Sequence, residues 1–302
     1  MKIAITGATG TIGRELLASS DHSWSALSRD PERAGLDVPA HAWPDPKGAP
    51  PPLDALRGCD AVIHLLGETV AQRWTDEAMR EIRDSRVLGT RNLVTALREL
   101  PEADRPSVLV SQSASGYYGP RGPDPVDEAS PAGDDFLARV VVEWEAEAMA
   151  AEELGMRVAL TRTGVVLSQA GGALEKMLPF FKLGIGGPVA GGRQYVPWVH
   201  LDDVVGALLF CATSSGVSGP VNVTAPEPVT NGELSKALGR VLRRPAFLPV
   251  PGLAVRTLYG SMATIVTTGV RAVPAALLMH GYTFRQPELE TALRDATGRA
   301  GS

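Results

Sequence analysis

The chain has 302 residues, with 34 Asp and Glu against 29 Lys and Arg, for a formal net charge of −5. That balance offers no basic surface for nucleic acid. At 44% hydrophobic and 21% charged residues the chain is a globular protein, long enough for one large domain and a smaller appendage, not a disordered or repetitive one.

The two cysteines, Cys59 and Cys211, are far apart and lack metal-ligand spacing. They read as reduced core thiols of a cytoplasmic protein without a metal site. The N-terminus opens directly on a strand, so no signal peptide is expected. The most apolar late stretch, 247–282, is interrupted by Arg256, Arg271 and Pro274, so no membrane span is expected.

Residues 1–6 form a short apolar run that predicts a buried strand. Gly7-Ala8-Thr9-Gly10-Thr11-Ile12-Gly13 follows at once, and a helical pattern starts at Arg14. A strand, a glycine turn and a helix in that order are the context of a dinucleotide fingerprint. Gly7 permits the tight turn, Gly10 lets the backbone approach a pyrophosphate, and Gly13 lets the helix pack on the strand. The amides from Thr9 to Gly13, at the positive end of the helix dipole, then receive the anion.

Residues 24–28 predict the second strand, ending at Ser28-Arg29. An arginine at this place holds the 2′-phosphate of NADP(H), whereas an acid would bind the free hydroxyl of NAD. Ser28 and Arg29 therefore point to NADP(H). Residues 37–53 are proline-rich and read as a surface connection, with Trp43 over the adenine. Residues 60–67 are a continuous apolar strand whose end, Leu65-Leu66-Gly67, falls beside the cofactor.

Residues 76–100 have helical period, with Ala78, Ile82, Gly89, Leu93, Ala96 and Leu100 on one face. Arg86 shares that face and needs a partner there. A cofactor phosphate or the nicotinamide ribose is one reading; a local carboxylate is the other. Residues 107–111 predict the next buried strand, running into Gln112-Ser113-Ala114-Ser115-Gly116-Tyr117-Tyr118-Gly119. Ser113 stands either as donor to a substrate oxygen or as a cap of its own turn.

Residues 136–154 predict a helix stopped by Gly155, and 157–167 a strand. Residues 168–193 read as a glycine-rich loop-and-helix excursion. Residues 195–200 return to the core, with Asp202 as N-cap of a helix over 203–212. Residues 221–224 predict a strand, Asn231 the cap of a helix over 232–242, and everything from Pro249 a small helical cap.

These motifs are similar to those of the extended short-chain dehydrogenase/reductase superfamily. The chain most resembles its SDR39U1-like, nucleoside-diphosphate-sugar epimerase-like branch. The marks are Ser28-Arg29, Arg73-Trp74, Ser85-Arg86, Ser113 through Gly119, Trp144-Glu145 and Arg162-Thr163-Gly164-Val165-Val166-Leu167. Further marks are Gly171-Gly172-Ala173-Leu174, Leu183-Gly184-Ile185-Gly186-Gly187-Pro188, Pro197-Trp198-Val199-His200 and Gly281-Tyr282-Thr283-Phe284. The resemblance covers nearly the whole chain. It implies an α/β fold, a Rossmann-like doubly wound parallel sheet over 1–170 with core strands also from 195–225. It also implies a glycine-rich lid over 171–194 and a small, mostly helical cap over 226–302. NADP(H) is the implied cofactor, with Val166 among its contacts. The substrate is a small polar or sugar-nucleotide-like molecule. Gln194 and Trp198 line the lid toward it, with Arg193 and His200 beside them, although His200 alone reads as a structural histidine. The assembly is a monomer or homodimer.

One departure stands out. Members of this superfamily carry a Tyr-x-x-x-Lys pair that moves a proton and holds the ribose. Counting back from Gly155 and Arg162, those positions are Phe136 and Val140. Neither side chain can do that work. Ser113 and Tyr117 are then the candidate catalytic residues, with Arg139 or Tyr118 as substitutes. Two functions stay open: an NADP(H)-dependent oxidoreductase or epimerase of atypical mechanism, and a non-catalytic NADP(H) sensor.

Overall fold

The computed structural model describes residues 1–19 and 21–298. Its first half comprises β1 (Lys2–Thr6), α1 (Thr11–Ala18), β2 (Ser23–Ser28), α2 (Pro31–Ala34), β3 (Ala40–Ala42), β4 (Ala61–His64), α3 (Asp76–Glu99), β5 (Val108–Ala114), β6 (Pro125–Val126) and α4 (Phe136–Met149). There follow β7 (Arg157–Thr163), β8 (Val165–Leu167), α5 (Gly172–Lys182), β9 (Tyr195–Val196), β10 (Trp198–His200), α6 (Leu201–Thr213), β11 (Gly219–Val223), β12 (Val229–Thr230) and α7 (Asn231–Leu242). The C-terminal part holds α8 (Gly252–Tyr259), α9 (Thr264–Thr267), β13 (Arg271–Ala272), α10 (Ala275–Met279) and α11 (Leu289–Ala296).

Seven strands form one parallel sheet in the order β11-β7-β5-β4-β1-β2-β3. The strands read as continuous apolar runs because both faces are covered. Alternate residues point to opposite sides. Ile3, Ile5, Ile63 and Val110 meet Leu16 of α1 and Val204 and Leu208 of α6. Ala4, Val62, Leu109 and Val158 meet Leu93 and Leu97 of α3 and Ala148 of α4.

Five local expectations are corrected. The proline-rich connection contains a strand, β3, paired to β2, and it buries Trp43. That indole packs in the α3 layer and donates to the Ala49 carbonyl at 2.8 Å, so it does not cover an adenine. The predicted strand over 157–167 is two strands. A Cβ at Gly164 would lie 1.9 Å from the Pro197 carbonyl oxygen, and the chain leaves the main sheet there so that β8 can pair with β10. Helix α6 is capped by His200, whose Nδ1 accepts the Asp202 N–H, and not by Asp202. Helix α7 is capped by Thr230 in a reciprocal box with Glu233, while Asn231 instead accepts the Val189 N–H at 2.8 Å.

The helix expected over 136–154 is α-helical only to Met149; a 3₁₀ turn, Ala150–Leu154, follows and ends at Gly155, whose backbone is left-handed at φ 78°. Leu174, Leu178 and Phe181 of α5, Trp198, Leu234 and Leu238 of α7, and Leu293 of α11 share a third core. Helix α5 of the excursion thus packs with α7 and α11, whereas Leu277 of α10 joins the first core.

Candidate functional site

The turn after β1 has the geometry its glycines require. Gly7 sits at φ 68°, and a Cβ there would come 2.7 Å from the Leu65 carbonyl oxygen. A Cβ on Gly13 would come 2.4 Å from the Gly7 oxygen. The Gly10 N–H closes the turn on Gly7 O at 3.0 Å. Gly10 is the N-cap of α1, no side chain caps that helix, and its first turn holds no acid. The N-terminal amides at Thr11, Ile12 and Gly13 are therefore open to an external anion. Thr9 stands exposed on the turn, where its carbonyl accepts Arg14 Nε at 3.1 Å. Thr11 Oγ1 reaches the Ala170 carbonyl at 3.4 Å, and Ile12 packs on the sheet.

At the end of β2 the two charged neighbours differ. The Asp30 carboxylate caps α2 through the Arg33 N–H and also pairs with Arg33 at 3.5 Å. Ser28 Oγ accepts the Asp30 N–H. Arg29 is exposed and has no ion pair among the described residues. The acid is engaged and the guanidinium is free.

Beyond β4, the Leu65 N–H donates to Thr6 Oγ1 at 3.0 Å, and Leu66 lies under Gly89. Arg86 sits against Gly67, where an added Cβ would lie 3.0 Å from the guanidinium carbon. Its Nη1 donates to the Ile82 carbonyl, and the guanidinium lies 5.3 Å from the Trp144 ring centre. No carboxylate reaches it within 4.0 Å among the described residues. Burial lowers its pKa to about 10, with the charge of Glu68 opposing the drop. The local-carboxylate alternative for Arg86 is thus not the arrangement found. Trp144 is itself fixed by its Nε1–H to Thr90 Oγ1 at 2.9 Å. Thr90 meets His64 Nε2, and His64 Nδ1 meets Thr6 Oγ1 at 2.8 Å. This buried chain ties β1, β4, α3 and α4 together beneath the crevice.

The serine loop is organised by a charge pair that the sequence reading missed. Arg162, 2% exposed, donates Nε and Nη2 to the two oxygens of Glu145, each at 2.8 Å. Burial opposes its charge, but the bonds and charge of Glu145 raise the Arg162 pKa above its ordinary value. Ser113 Oγ donates to the same Glu145 at 2.6 Å. Ser113 is therefore a buried partner of the pair, and its proton is not presented to the crevice. The ring of Tyr117 lies 3.4 Å from the Arg162 guanidinium, while its hydroxyl has no hydrogen bond among the described residues. The Tyr118 hydroxyl, in contrast, is tied to Asn222 at 2.7 Å and Arg162 at 3.1 Å, and burial raises its pKa to about 12. Trp144-Glu145 and Arg162 were visible as motif marks, but Glu145 shares its helix with Glu143 and Glu147, so the sequence did not single out the pair.

Phe136 and Val140 are where the missing acid/base pair was placed. Phe136 packs edge-on to Trp74 at 5.2 Å, and Val140 is buried. Arg139 turns its guanidinium to the Asp134 carbonyl. Val166 is partly buried on β8, in register with Val199.

The lid residues are placed differently from the expectation. Trp198 is 1% exposed in the third core and donates to the Glu227 carbonyl at 3.1 Å, so it does not face a substrate. Gln194 Nε2 donates to the Val189 and Val266 carbonyls at 3.0 and 2.8 Å, pinning the lid to the C-terminal segment. His200, as expected, is satisfied inside the protein, with Nε2 3.2 Å from Asp295. Lys176 of α5 donates to the Ala71 carbonyl at 2.8 Å, which carries this helix across to the loop bearing Trp74.

A parallel doubly wound sheet with an uncapped glycine turn after β1, an inner strand, defines a Rossmann-like protein of the short-chain dehydrogenase/reductase type. Residues 3–224 match the NAD dependent epimerase/dehydratase family, and the chain belongs to it. Residues 250–296 match a second family, described as a domain of unknown function (DUF1731). The chain is 40% identical over 299 residues to the chloroplastic epimerase family protein SDR39U1 homolog of Arabidopsis thaliana, covering 97% of this chain and 86% of that one. It is 34% identical over 303 residues to human epimerase family protein SDR39U1, covering 98% and 99%. The crystal structure of that human protein (isoform 2) with NADPH superposes with a TM-score of 0.88 at 33% identity, over 99% of each chain. A nucleoside-diphosphate sugar epimerase from Corynebacterium glutamicum gives 0.78 at 32% identity, over 99% of this chain and 58% of that one.

Proposed function

We propose that this protein binds NADP(H) and uses it as an oxidoreductase or epimerase-like enzyme on a small polar or sugar-nucleotide-like substrate. The observation that carries the cofactor reading is the end of β2: Arg29 is unpaired while Asp30 is held by its own helix. The uncapped α1 receives the diphosphate, Arg29 the 2′-phosphate, and Arg86, buried without a carboxylate, the nicotinamide half above Gly67. Leu65, Leu66 and Val166 wall that half. The NADPH-bound human relative supports the same reading.

When bound, the nicotinamide supplies a hydride. The chain must then supply a proton donor at the substrate oxygen. Phe136 and Val140 cannot. Tyr117 has the uncommitted hydroxyl, and Arg162 beneath its ring holds it in place. Ser113 contributes by anchoring Glu145, and so Arg162. Gln194 fixes the lid rather than touching substrate. The free, buried thiols favour a cytoplasmic location. Among the described residues no helix is long and apolar enough to cross a membrane.

The absence of a proton-bearing group at 136 and of a cation at 140 favours a second reading, a non-catalytic NADP(H) sensor. A fluorescence titration with NADPH, followed by a screen of carbonyl and sugar-nucleotide substrates for nicotinamide absorbance change, separates the two. Turnover that falls with Tyr117→Phe supports the enzyme. Tight binding with no turnover supports the sensor, and no binding of either nucleotide removes both.

A further inference from the structure

The whole chain is acidic, yet its lid and cap are not. Residues 234–287 hold seven Lys or Arg and no Asp or Glu, and residues 176–201 hold three and none. These two stretches lie side by side. The Val250 N–H donates to the Pro188 carbonyl and the Ala190 N–H to the Val250 carbonyl, both at 2.9 Å. A Cβ on Gly184 would come 3.3 Å from the Pro245 ring.

Along this seam large apolar side chains stand in solvent. Leu183, Phe247 and Leu253 are 74%, 73% and 77% exposed, with Ile185, Leu248 and Leu258 beside them in sequence. Helix α8 buries only Val255, so most of its apolar surface is left unpartnered. Exposed large apolar side chains gathered along one seam mark a contact surface. Next to Phe247 a recess of about 400 Å³ is lined by Lys236, Arg240, Arg243 and Arg244, of which Arg240 is paired with Glu290 at 2.6 Å. Arg243, Arg244 and Arg256 have no ion pair among the described residues.

We propose that this face rests on an anionic lipid surface, with its apolar side chains in the interface and the unpaired Arg243 and Arg244 against lipid phosphates. Protruding apolar residues ringed by cations are what binding to such an interface needs. A second copy is the poorer occupant, because a twofold contact would set Arg243 and Arg244 against themselves. The attachment is peripheral, and it leaves the crevice at the opposite end of the lid helix free.

The test is flotation of the full chain with phosphatidylglycerol–phosphatidylcholine vesicles, beside phosphatidylcholine alone, at low and high salt. The protein is expected to float with the anionic vesicles and to be released by salt. Arg243→Gln with Arg244→Gln should weaken that binding roughly thirtyfold. Phe247→Asp with Leu253→Asp should abolish it. Both variants should keep the wild-type melting curve, since none of these four side chains is buried. Failure of the wild type to float, or equal flotation by the variants, overturns the proposal. So does a sedimenting dimer that Phe247→Asp breaks, which would assign the face to self-association, or salt-sensitive capture by an acidic peptide without vesicle binding.

Discussion

Arg162 and Glu145 meet through two hydrogen bonds of 2.8 Å with both side chains under a tenth exposed, and the candidate proton donor stacks on that pair. Removing one partner leaves a bare buried charge. Glu145→Ala should cost about 3–5 kcal/mol in urea unfolding. Replacing both at once, by Glu145→Leu with Arg162→Met, should cost much less. A single variant as mild as the double one would show that the pair is solvated.

Arg29 gives a selectivity prediction. Charged hydrogen bonds contribute about 1.5–3 kcal/mol, so Arg29→Ala should weaken NADPH by roughly ten- to a hundredfold and leave NADH nearly unchanged. Asp30→Ala removes the α2 cap without touching the guanidinium and should leave the NADPH/NADH ratio as it was. Parallel titrations of both nucleotides check this, and an equal loss for each would reassign the 2′-phosphate.

Gly13 is a packing position as well as a binding one. A methyl there meets Gly7 O and the Ala8 backbone within 3 Å, and backbone cannot swing aside. Gly13→Ala should therefore lose NADPH binding and about 1–3 kcal/mol of stability. Gly10→Ala meets only Gly7 O at 3.4 Å, so it should fold normally and show its defect in nucleotide titration alone.

His64 makes stability pH-dependent. Burial lowers its pKa to about 3, so the folded protein keeps the ring neutral, whereas the unfolded chain protonates it near 6.5. Below about pH 6.5 the unfolded state binds the extra proton. Stability is full above that value, falls by up to about 1.4 kcal/mol per pH unit as pH drops, and levels off near pH 3. Unfolding midpoints between pH 7 and 5, above most carboxylate titration, should show the slope. His64→Asn should flatten it, and an unchanged slope would place the titration elsewhere.

Both thiols should be silent toward a thiol reagent in the native state. Burial raises the pKa of Cys59, and that of Cys211 to about 12, so little thiolate forms at neutral pH. Labelling should appear only as the protein unfolds in urea.

Elements ruled by period and glycine chemistry were legible: the sheet strands other than β3, α3, and the turn from Gly7 to Gly13. Those decided by tertiary contacts were not. Gly164 looks like one more residue of a strand until Pro197 is placed against it. Asp202 and Asn231 are better local caps than His200, yet backbone elsewhere in the fold claims Asn231, and the chain direction after β10 gives α6 to the histidine. Trp198 sits in a glycine-rich setting that suggests a lid, and only the helices from 231 onward reveal it as core. The site divides the same way. The phosphate turn and Arg29 follow local rules, whereas the commitment of Ser113 to Glu145 depends on a residue 32 positions away.

One carboxylate joins regions that match separate families. Glu128 Oε1 accepts the Asn222 N–H at 2.9 Å and the Ala276 N–H at 3.1 Å, and Asn222 Nδ2 reaches the Val273 carbonyl at 2.9 Å. Exchanging the tail for an unrelated module would leave those atoms orphaned directly behind Tyr118. A change in the segment around Val273 and Ala276 is therefore felt at Asn222 of β11 and, through its Oδ1, at the Tyr118 hydroxyl.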